Sequence, residues 1–549
     1  MPAVVATAVP AAPSMSLGGA IEGASRLDRT LSSWHAAVTS PDVIINSAKD
    51  TADARAADLA RNSGHIQNAV QIHRDSIVGS QFRLNAAPDW ETIGAPEGWS
   101  VDFQEETERL WRLSAETPDC WLDVSGRNTF TGMMRLAVAS FCVTGEVLAS
   151  AEWLKNDPVR PFKTAGNIIN PVRLSNPEGR GDDDNLRKGV SIDDFGRPLG
   201  YYIRNGYEND PFSMKRFSWR YVPAALPWGR QQIIHIVEQL YPDQTRGLAD
   251  MVTILKETRM GRKFRDLTLQ NAVVNASVAA AIESELPTHE VVAMLGTTGG
   301  ATGSNPFLGF LQSYLGALTS YVDQGRNIMM DGVRIPHLFP GTKLNLRPAG
   351  TPGGVGTDFD EALLRHMAAG LNVSYEELAR DFSKLSYSGG KLSIAMTGRF
   401  MAARKYMVAD RLASSLYALW LEEQWNAGRL PLPPRKPKEI FYQPFMKQAI
   451  CRATWIGAGT GQIDELKETQ AALLRIQSGL STWEVECARL GQDWREVFKQ
   501  RKREDAMQGQ LGISLDTSAN RPLTNQAGQD NTTGQDAAPP APAPKKRGK

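Results

Sequence analysis

Four cysteines are spread through 549 residues, at Cys120, Cys142, Cys451 and Cys487, and no two are near one another. Without a Cys-x-x-Cys pair there is no framework for a zinc ribbon or finger, and isolated thiols fit a reducing compartment. The seven histidines are equally scattered. His65 and His73 stand two helical turns apart and read as ordinary core or surface residues rather than metal ligands. No apolar run approaches the ~18–20 residues of a membrane span. The first twenty residues are rich in Ala, Pro and Val and have no charged side chain, so the basic start of a secretory leader is missing. Charge of one sign is also lacking: 61 Lys and Arg oppose 60 Asp and Glu, a net charge of +1. A protein that grips nucleic acid through its overall field is more basic than this, so any such contact is local or weak.

Catalytic signatures are missing too. A phosphate-binding P-loop needs Gly, four residues, then Gly-Lys-Ser/Thr, so that backbone amides wrap the phosphate and the hydroxyl meets magnesium. The nearest approach is RDFSKLSYSGGKLSIAM, Arg380 to Met396. There Leu385 stands where the first glycine belongs, and Leu392 follows Lys391. Gly296 to Gly303 is glycine-rich but holds no lysine. No Gly-x-Ser-x-Gly elbow and no HExxH occurs, and Gly457-Ala458-Gly459-Thr460-Gly461 has the wrong spacing for a dinucleotide fingerprint. Asp182-Asp183-Asp184 lacks the alternation and closing glutamate of a calcium loop and reads as a solvated turn.

What is present is a 42% hydrophobic, 22% charged chain, long enough for several structural units around a real core. The spacing predicts helices over Ser47–Val78, Asp102–Leu113 and Thr129–Cys142. Strands are expected at Phe82–Leu84, Val147–Trp153, Tyr201–Ile203 and Ile233–Val237, making residues 145–237 β-rich. Asp243–Glu285 has no proline and is helix-rich. Short strands are expected in Ile328–Leu346, around Asp331-Gly332. Asp358–Ala369 is amphipathic and closes at Gly370, and Ser374 and Glu377 have the spacing of a capping box. From Lys391 to Ala427 no proline intervenes, and Leu392, Met396, Phe400, Ala403, Met407, Leu412, Leu416, Leu419 and Trp420 form a stripe. This predicts one helix ~55 Å long, or a shorter one broken at Gly398. Further helices are expected over Ile463–Leu480 and Thr482–Arg503. The last residues, AAPPAPAPKKRGK, have the composition of a solvated tail with a basic tip.

Several of these segments resemble the lambda-type portal proteins of tailed bacteriophages. They are Ala54–Asn62 with Ile77–Leu84, Ile234–Ile236 leading to Gln244-Thr245-Arg246-Gly247-Leu248, Phe339–Lys343, and Ala368-Ala369-Gly370-Leu371-Asn372-Val373-Ser374-Tyr375-Glu376-Glu377-Leu378. The last continues into Asp381–Ser383 and Tyr387-Ser388. Trp455–Gly457, Ile463-Asp464, Lys467-Glu468 and Gly491–Asp493 complete the set. The resemblance runs in order over about residues 25 to 510. Two departures are Glu465, where the family commonly has proline, and Gly389-Gly390, where serine and another small residue are more usual.

The resemblance implies an α+β portal fold, with long helices and a β-rich N-terminal wing, assembling as a ring of twelve subunits around a DNA channel at a capsid vertex. By order along the chain it implies a flexible N-terminal arm (1–30), a wing (31–242), a helical lead into the stem (243–287) and a clip (288–346). A returning stem helix (347–379), a channel loop (380–391), a long wing helix (392–439), a crown (440–510) and a disordered tail (511–549) follow. Within the channel loop, Lys384 and Lys391 are expected to meet DNA phosphates weakly and without sequence preference. Ser383, Ser386, Tyr387, Ser388, Gly389 and Gly390 accompany them as polar or flexible lining. The expected partners are further copies of the chain, double-stranded DNA, the terminase large subunit, head-completion or tail adaptor proteins, and capsid or scaffold protein. No cofactor, metal, membrane or catalytic activity is expected, ATP hydrolysis belonging to the terminase. The competing readings are another ring-forming head–tail connector component, for which 549 residues is long, and a hydrolase with a concealed site.

Overall fold

The computed structural model describes residue 33 and residues 37–277, 328–330, 333–335, 355–459, 461 and 464–512. The N-terminal arm, most of the expected clip, the Phe339–Lys343 segment and almost all of the expected tail lie outside these residues.

Two helices open the described chain, α1 (Pro41–Asn62) and α2 (Gly64–Ile77). The single helix expected over Ser47–Val78 is therefore interrupted at Ser63, whose extended backbone (φ −117°, ψ 115°) breaks the ladder. Strand β1 (Arg83–Ala86), the one-turn α3 (Trp90–Ile93), α4 (Glu97–Ala115) and α5 (Phe130–Thr144) follow. Thr129 caps α5 by accepting from the Gly132 N–H, and Gly145 ends it in the left-handed region at φ 74°.

The β-rich unit forms two sheets. Strands β2 (Glu146–Trp153), β3 (Thr164–Ile169) and β8 (Ile233–Val237) pair antiparallel in the order β3-β2-β8. Strands β4 (Leu186–Arg187), β5 (Val190–Ile192), β6 (Pro198–Arg204) and β7 (Trp219–Pro223) make a four-stranded meander. Alternation along β2 divides the interior, since successive strand residues face opposite ways. Val147, Ala149 and Ala151 enter the main core. Leu148 joins a smaller one with Ile169, Leu174, Val190, Tyr201, Ile203 and Ile233.

Helix α6 (Leu255–Ser277) leads away, the hairpin β9 (Ile328–Met330) and β10 (Val333–Ile335) pairs antiparallel, and α7 (Val355–Gly370) returns to pack on α6. The short α8 (Tyr375–Ala379) carries the expected capping box. Ser374 Oγ accepts from the Glu377 N–H, and the Glu377 carboxylate accepts from both the N–H and the hydroxyl of Ser374.

The long helix is real and longer than expected. Helix α9 (Tyr387–Arg404), a π-helical turn (Lys405–Asp410) and α10 (Arg411–Asn426) run without a break at Gly398, about 60 Å at 1.5 Å per residue. The π-turn inserts an extra residue into the helical ladder. It begins at two adjacent anchored cations. Arg404 donates to Asp250 (2.6 Å) and Glu238 (3.1 Å), and Lys405 Nζ donates to Asp410 and to the Trp455 carbonyl, each at 2.7 Å.

Residues beyond α10 return to the same core. Helix α11 (Met446–Ile450) packs on α3, and β11 (Ala453–Ile456) pairs antiparallel with β1, Arg83 opposite Ile456. The segment 440–456, the first part of the expected crown, supplies Ile440, Phe441, Ala449, Ile450 and Trp455 to the main core. Trp111 is its aromatic hub, edge-on to Trp420 (5.1 Å between ring centres), Phe130 (4.9 Å) and Tyr417 (5.6 Å), while Phe82 stacks on Trp455 at 5.6 Å. Helices α12 (Glu465–Gln477), α13 (Trp483–Arg489) and α14 (Trp494–Leu511) finish the described chain. The helix expected over Thr482–Arg503 is two helices, because Gly491 takes φ 74° and Asp493 starts a new cap over Arg495.

Candidate nucleic-acid interface

The segment that joins α8 to α9, together with the first residues of α9, holds every candidate channel-loop residue. Arg380 ends α8 at φ 55°, and its guanidinium donates to Asn68 Oδ1 (2.9 Å). Asn68 in turn donates to the Glu377 and Leu378 carbonyls, which ties this corner to α2. Asp381 accepts from both the N–H and the hydroxyl of Ser383, an Asx turn whose hydrogen bonds hold the Asp381 carboxyl below the usual range. Ser386 then caps α9 by accepting from the Gly389 N–H at 3.2 Å.

That cap corrects the extent of the expected loop. Tyr387, Ser388, Gly389, Gly390 and Lys391 form the first turn of α9, and only 381–386 is irregular. Glycines are poor helix formers, but here a single strong cap starts the helix ahead of them. Gly390 has a packing reason as well: a Cβ there would stand 2.9 Å from Leu385 Cδ2. Ser383 and Ser386 are thus spent on local turns. The Ser388 hydroxyl lies 3.5 Å from that of Ser386.

The two lysines are exposed, and each stands near a carboxylate that is distant in sequence. Lys384 donates to Glu361 of α7 at 2.5 Å, and Arg365 reaches the other oxygen of Glu361 at 3.1 Å. Arg365 also lies over the Tyr375 ring, 5.1 Å from its centre. The Lys384 hydrogen bond pulls the Glu361 carboxyl below its ordinary range, and the Lys384 ammonium is raised by the same bond. Lys391 lies 3.9 Å from Glu468 of α12. Lys384 is 71% exposed and Lys391 53%. Both cations are presented to solvent with their charge partly offset. The acidic counterparts were not legible in the sequence, because Glu361 and Glu468 are brought in by helix packing.

No group of three or more His, Cys, Asp or Glu able to hold a metal ion occurs among the described residues, and no described helix is long and apolar enough to cross a membrane. His73 is buried with Nε2 3.0 Å from the Leu371 carbonyl, and burial lowers its pKa to about 4. The Asp182 carboxylate accepts from Asn46, Asn176 and the Lys188 N–H, and so organises a turn. Burial pushes the Cys142 and Cys451 thiols up to about 12, so neither is a poised nucleophile.

A second charged centre went unread in the sequence, although two of its members, His235 and Arg246, lie in the segments singled out there. Arg246 is fully buried and donates through Nε and Nη2 to Glu146, with further bonds to the Pro171, Leu174 and Lys188 carbonyls. Lys49 reaches Asp53 at 2.8 Å and Glu146 at 3.4 Å and donates to the Thr144 carbonyl, while His235 Nε2 sits 3.1 Å from Glu146. Burial alone would raise the Glu146 pKa; the charges of Arg246 and Lys49 hold it well below the ordinary value. Gly145 and Gly247 pass so closely that a Cβ on Gly145 would meet the Leu248 carbonyl carbon at 2.2 Å. The Gln244–Leu248 motif is therefore a clamp that fixes the segment leading to α6 onto the root of β2.

A family model for the phage portal protein, lambda family, matches residues 27–405. The portal protein of Escherichia phage N15 is 38% identical over 487 residues, covering 88% of this chain and 89% of its own. Portal protein B of Escherichia phage lambda is 36% identical over 493 residues, covering 89% and 90%. The chain belongs to the lambda family of phage portal proteins. It is a portal protein, and its α+β fold of long helices with a β-rich wing is the portal fold. Among solved structures, a chain in the neck of an empty gene transfer agent particle matches at a TM-score of 0.37 and 12% identity, over 85% of this chain and 98% of that one. One in the virion of the native particle matches at 0.35 and 12%, over 83% and 94%.

Proposed function

We propose that this portal protein forms a twelve-subunit ring whose axial channel passes double-stranded DNA during packaging by a terminase and during later ejection, and that the 380–391 segment lines the channel. Its further partners are head-completion or tail adaptor proteins at the outer end, and capsid or scaffold protein around the vertex. Its own role is structural; the terminase supplies the ATP hydrolysis.

The observation that carries this reading is the charge-offset pair of lysines at an exposed helix start, Lys384 on Glu361 and Lys391 beside Glu468. Each phosphate held by a lysine releases counterions and adds grip, so a conduit that must let DNA slide needs contacts that are few and easily exchanged. A lysine already shared with a carboxylate supplies such a contact. A ring repeats it identically around the axis. Ser388 adds an uncharged hydroxyl beside the lysines, and Tyr387 an exposed ring.

The test is a Lys384→Ala, Lys391→Ala double variant assayed for ring assembly by negative-stain electron microscopy and for DNA packaging with purified heads and terminase. Rings with an axial hole should be retained and packaged DNA should fall. Packaging at the wild-type level would overturn the channel-loop assignment, and a wild-type chain that stays monomeric would overturn the ring.

A further inference from the structure

We propose that the outward face of α6, formed by Lys256, Arg259, Met260, Lys263 and Leu267, is an interface between copies of this chain, seated against the neighbour's acidic flank at Asp358 and Asp381. This rests on the ring reading above.

Helix α6 is lopsided. In its first twelve residues it carries Lys256, Arg259, Arg262, Lys263 and Arg265 against Glu257 and Asp266. Its inner side is committed to its own chain: Thr258 is buried, a Cβ on Gly261 would meet Leu363 Cδ2 at 2.3 Å, and Arg265 pairs with Asp360 at 2.8 Å. At 100° per residue, Lys256, Arg259, Met260, Lys263 and Leu267 fall on the opposite side. Lys256, Arg259 and Lys263 are exposed there and have no carboxylate partner among the described residues.

What lies between the cations decides the class of partner. Met260 is 62% exposed and Leu267 53%, both interleaved with the lysines. A phosphate backbone offers nothing to such groups, whereas a protein surface of mixed character covers the apolar atoms and pairs the charges together. A face built for DNA would be polar between its cations.

The partner's chemistry follows from ring geometry. In a closed ring each contact is heterologous, one flank of a subunit meeting the other flank of the next, so the two flanks of a single chain must be complementary. The α7–α8 side of the α6–α7 pair supplies the opposite sign. Asp358 is exposed and has no cation within ion-pair distance among the described residues. Asp381 is half-buried, accepts from the Ser383 N–H and hydroxyl, and adds a further negative charge beside Glu361, with the Lys384 ammonium also nearby. Glu361 itself is taken by Lys384 and Arg365, which leaves the exposed Asp358 for the neighbouring subunit, with the half-buried Asp381 as a second negative charge on the α7–α8 side.

The test uses the full-length chain in two versions, Lys256→Glu/Arg259→Glu/Lys263→Glu and Asp358→Lys/Asp381→Lys, with circular dichroism to confirm folding. Negative-stain microscopy and native mass spectrometry count rings. Each version alone should lower the ring fraction about ten-fold at low salt, by placing like charges across every contact. An equal mixture should restore rings, because alternating subunits then present opposite charges at every contact. Rings from the triple-glutamate version at the wild-type level would overturn the interface, whether or not DNA passage changed. So would a folded mixture that fails to assemble while the wild type does. A wild-type chain that makes no rings would instead sink the ring reading on which the interface stands.

Discussion

The molecule uses lysine, arginine and carboxylate in two opposite ways. Around Glu146 the charges are sealed: Lys49, Arg246 and Glu146 are each no more than 1% exposed, and spare donors are satisfied by backbone carbonyls. At the head of α9 the same residue types lie in solvent, Lys384 71% exposed on a single carboxylate. Burial makes the first set costly to break, since any member left alone is an uncompensated charge in a poor solvent. Exposure makes the second set cheap to exchange. The first arrangement suits a fixed joint, the second a surface that trades partners.

The contrast is broken most severely at its buried end. Arg246→Met should cost about 3–5 kcal/mol of unfolding free energy, because Glu146 would remain buried with its guanidinium partner gone and only Lys49, His235 and the Gly247 N–H beside it. Denaturant unfolding measures this, and a cost near zero would show that the joint is not what fixes β2 to the segment leading to α6.

A smaller effect concerns pH. Asp53 lies in the same network, and burial raises its pKa to about 6 from 3.8 despite the Lys49 charge. The folded carboxyl keeps its proton up to about pH 6, whereas the unfolded one releases it near 3.8. Its contribution to stability is therefore full below pH 3.8 and is lost as pH rises through 6. Wild type should lose on the order of 2 kcal/mol more than Asp53→Asn between pH 4 and 6.5. His73 titrates in the opposite sense, from 6.5 unfolded to about 4 folded, and cancels in the difference between the two proteins. Parallel stability curves would remove Asp53 from the network's pH response.

Least of all should change at the exposed end. Lys384→Gln should leave Tm within about 1 °C of wild type, because exposed ion pairs add little to stability. Its effect should be confined to the DNA passage proposed for this segment, so a large drop in Tm would mean that this pair, too, is a joint.

Much of the local structure could be read from the chain. Thr129 and Gly145 bracket α5, Ser374 and Glu377 form their capping box, and the β-branched run Ile233–Val237 is a strand. These depend on neighbours within a few residues, where spacing carries the physics. What escaped was set by distance along the chain. Glu146 meets Arg246 a hundred residues away, and Lys391 meets Glu468 only because α12 packs back toward α9. The start of α9 at Tyr387 was also hidden, because a glycine pair argues for a loop and only the Ser386 cap outweighs it. The Gln244–Leu248 motif was visible as a resemblance, but its work as a buried clamp required the fold.

The pairing of β1 with β11 joins Arg83–Ala86 to Ala453–Ile456 across most of the polypeptide. As the chain leaves the ribosome, Phe82, Trp111 and Phe130 have no Trp455 to pack against until some 450 residues have been made. The main core therefore stays open until β11 has been made. A chain halted earlier would carry an open seam of aromatic side chains and an unpaired strand, both prone to wrong association.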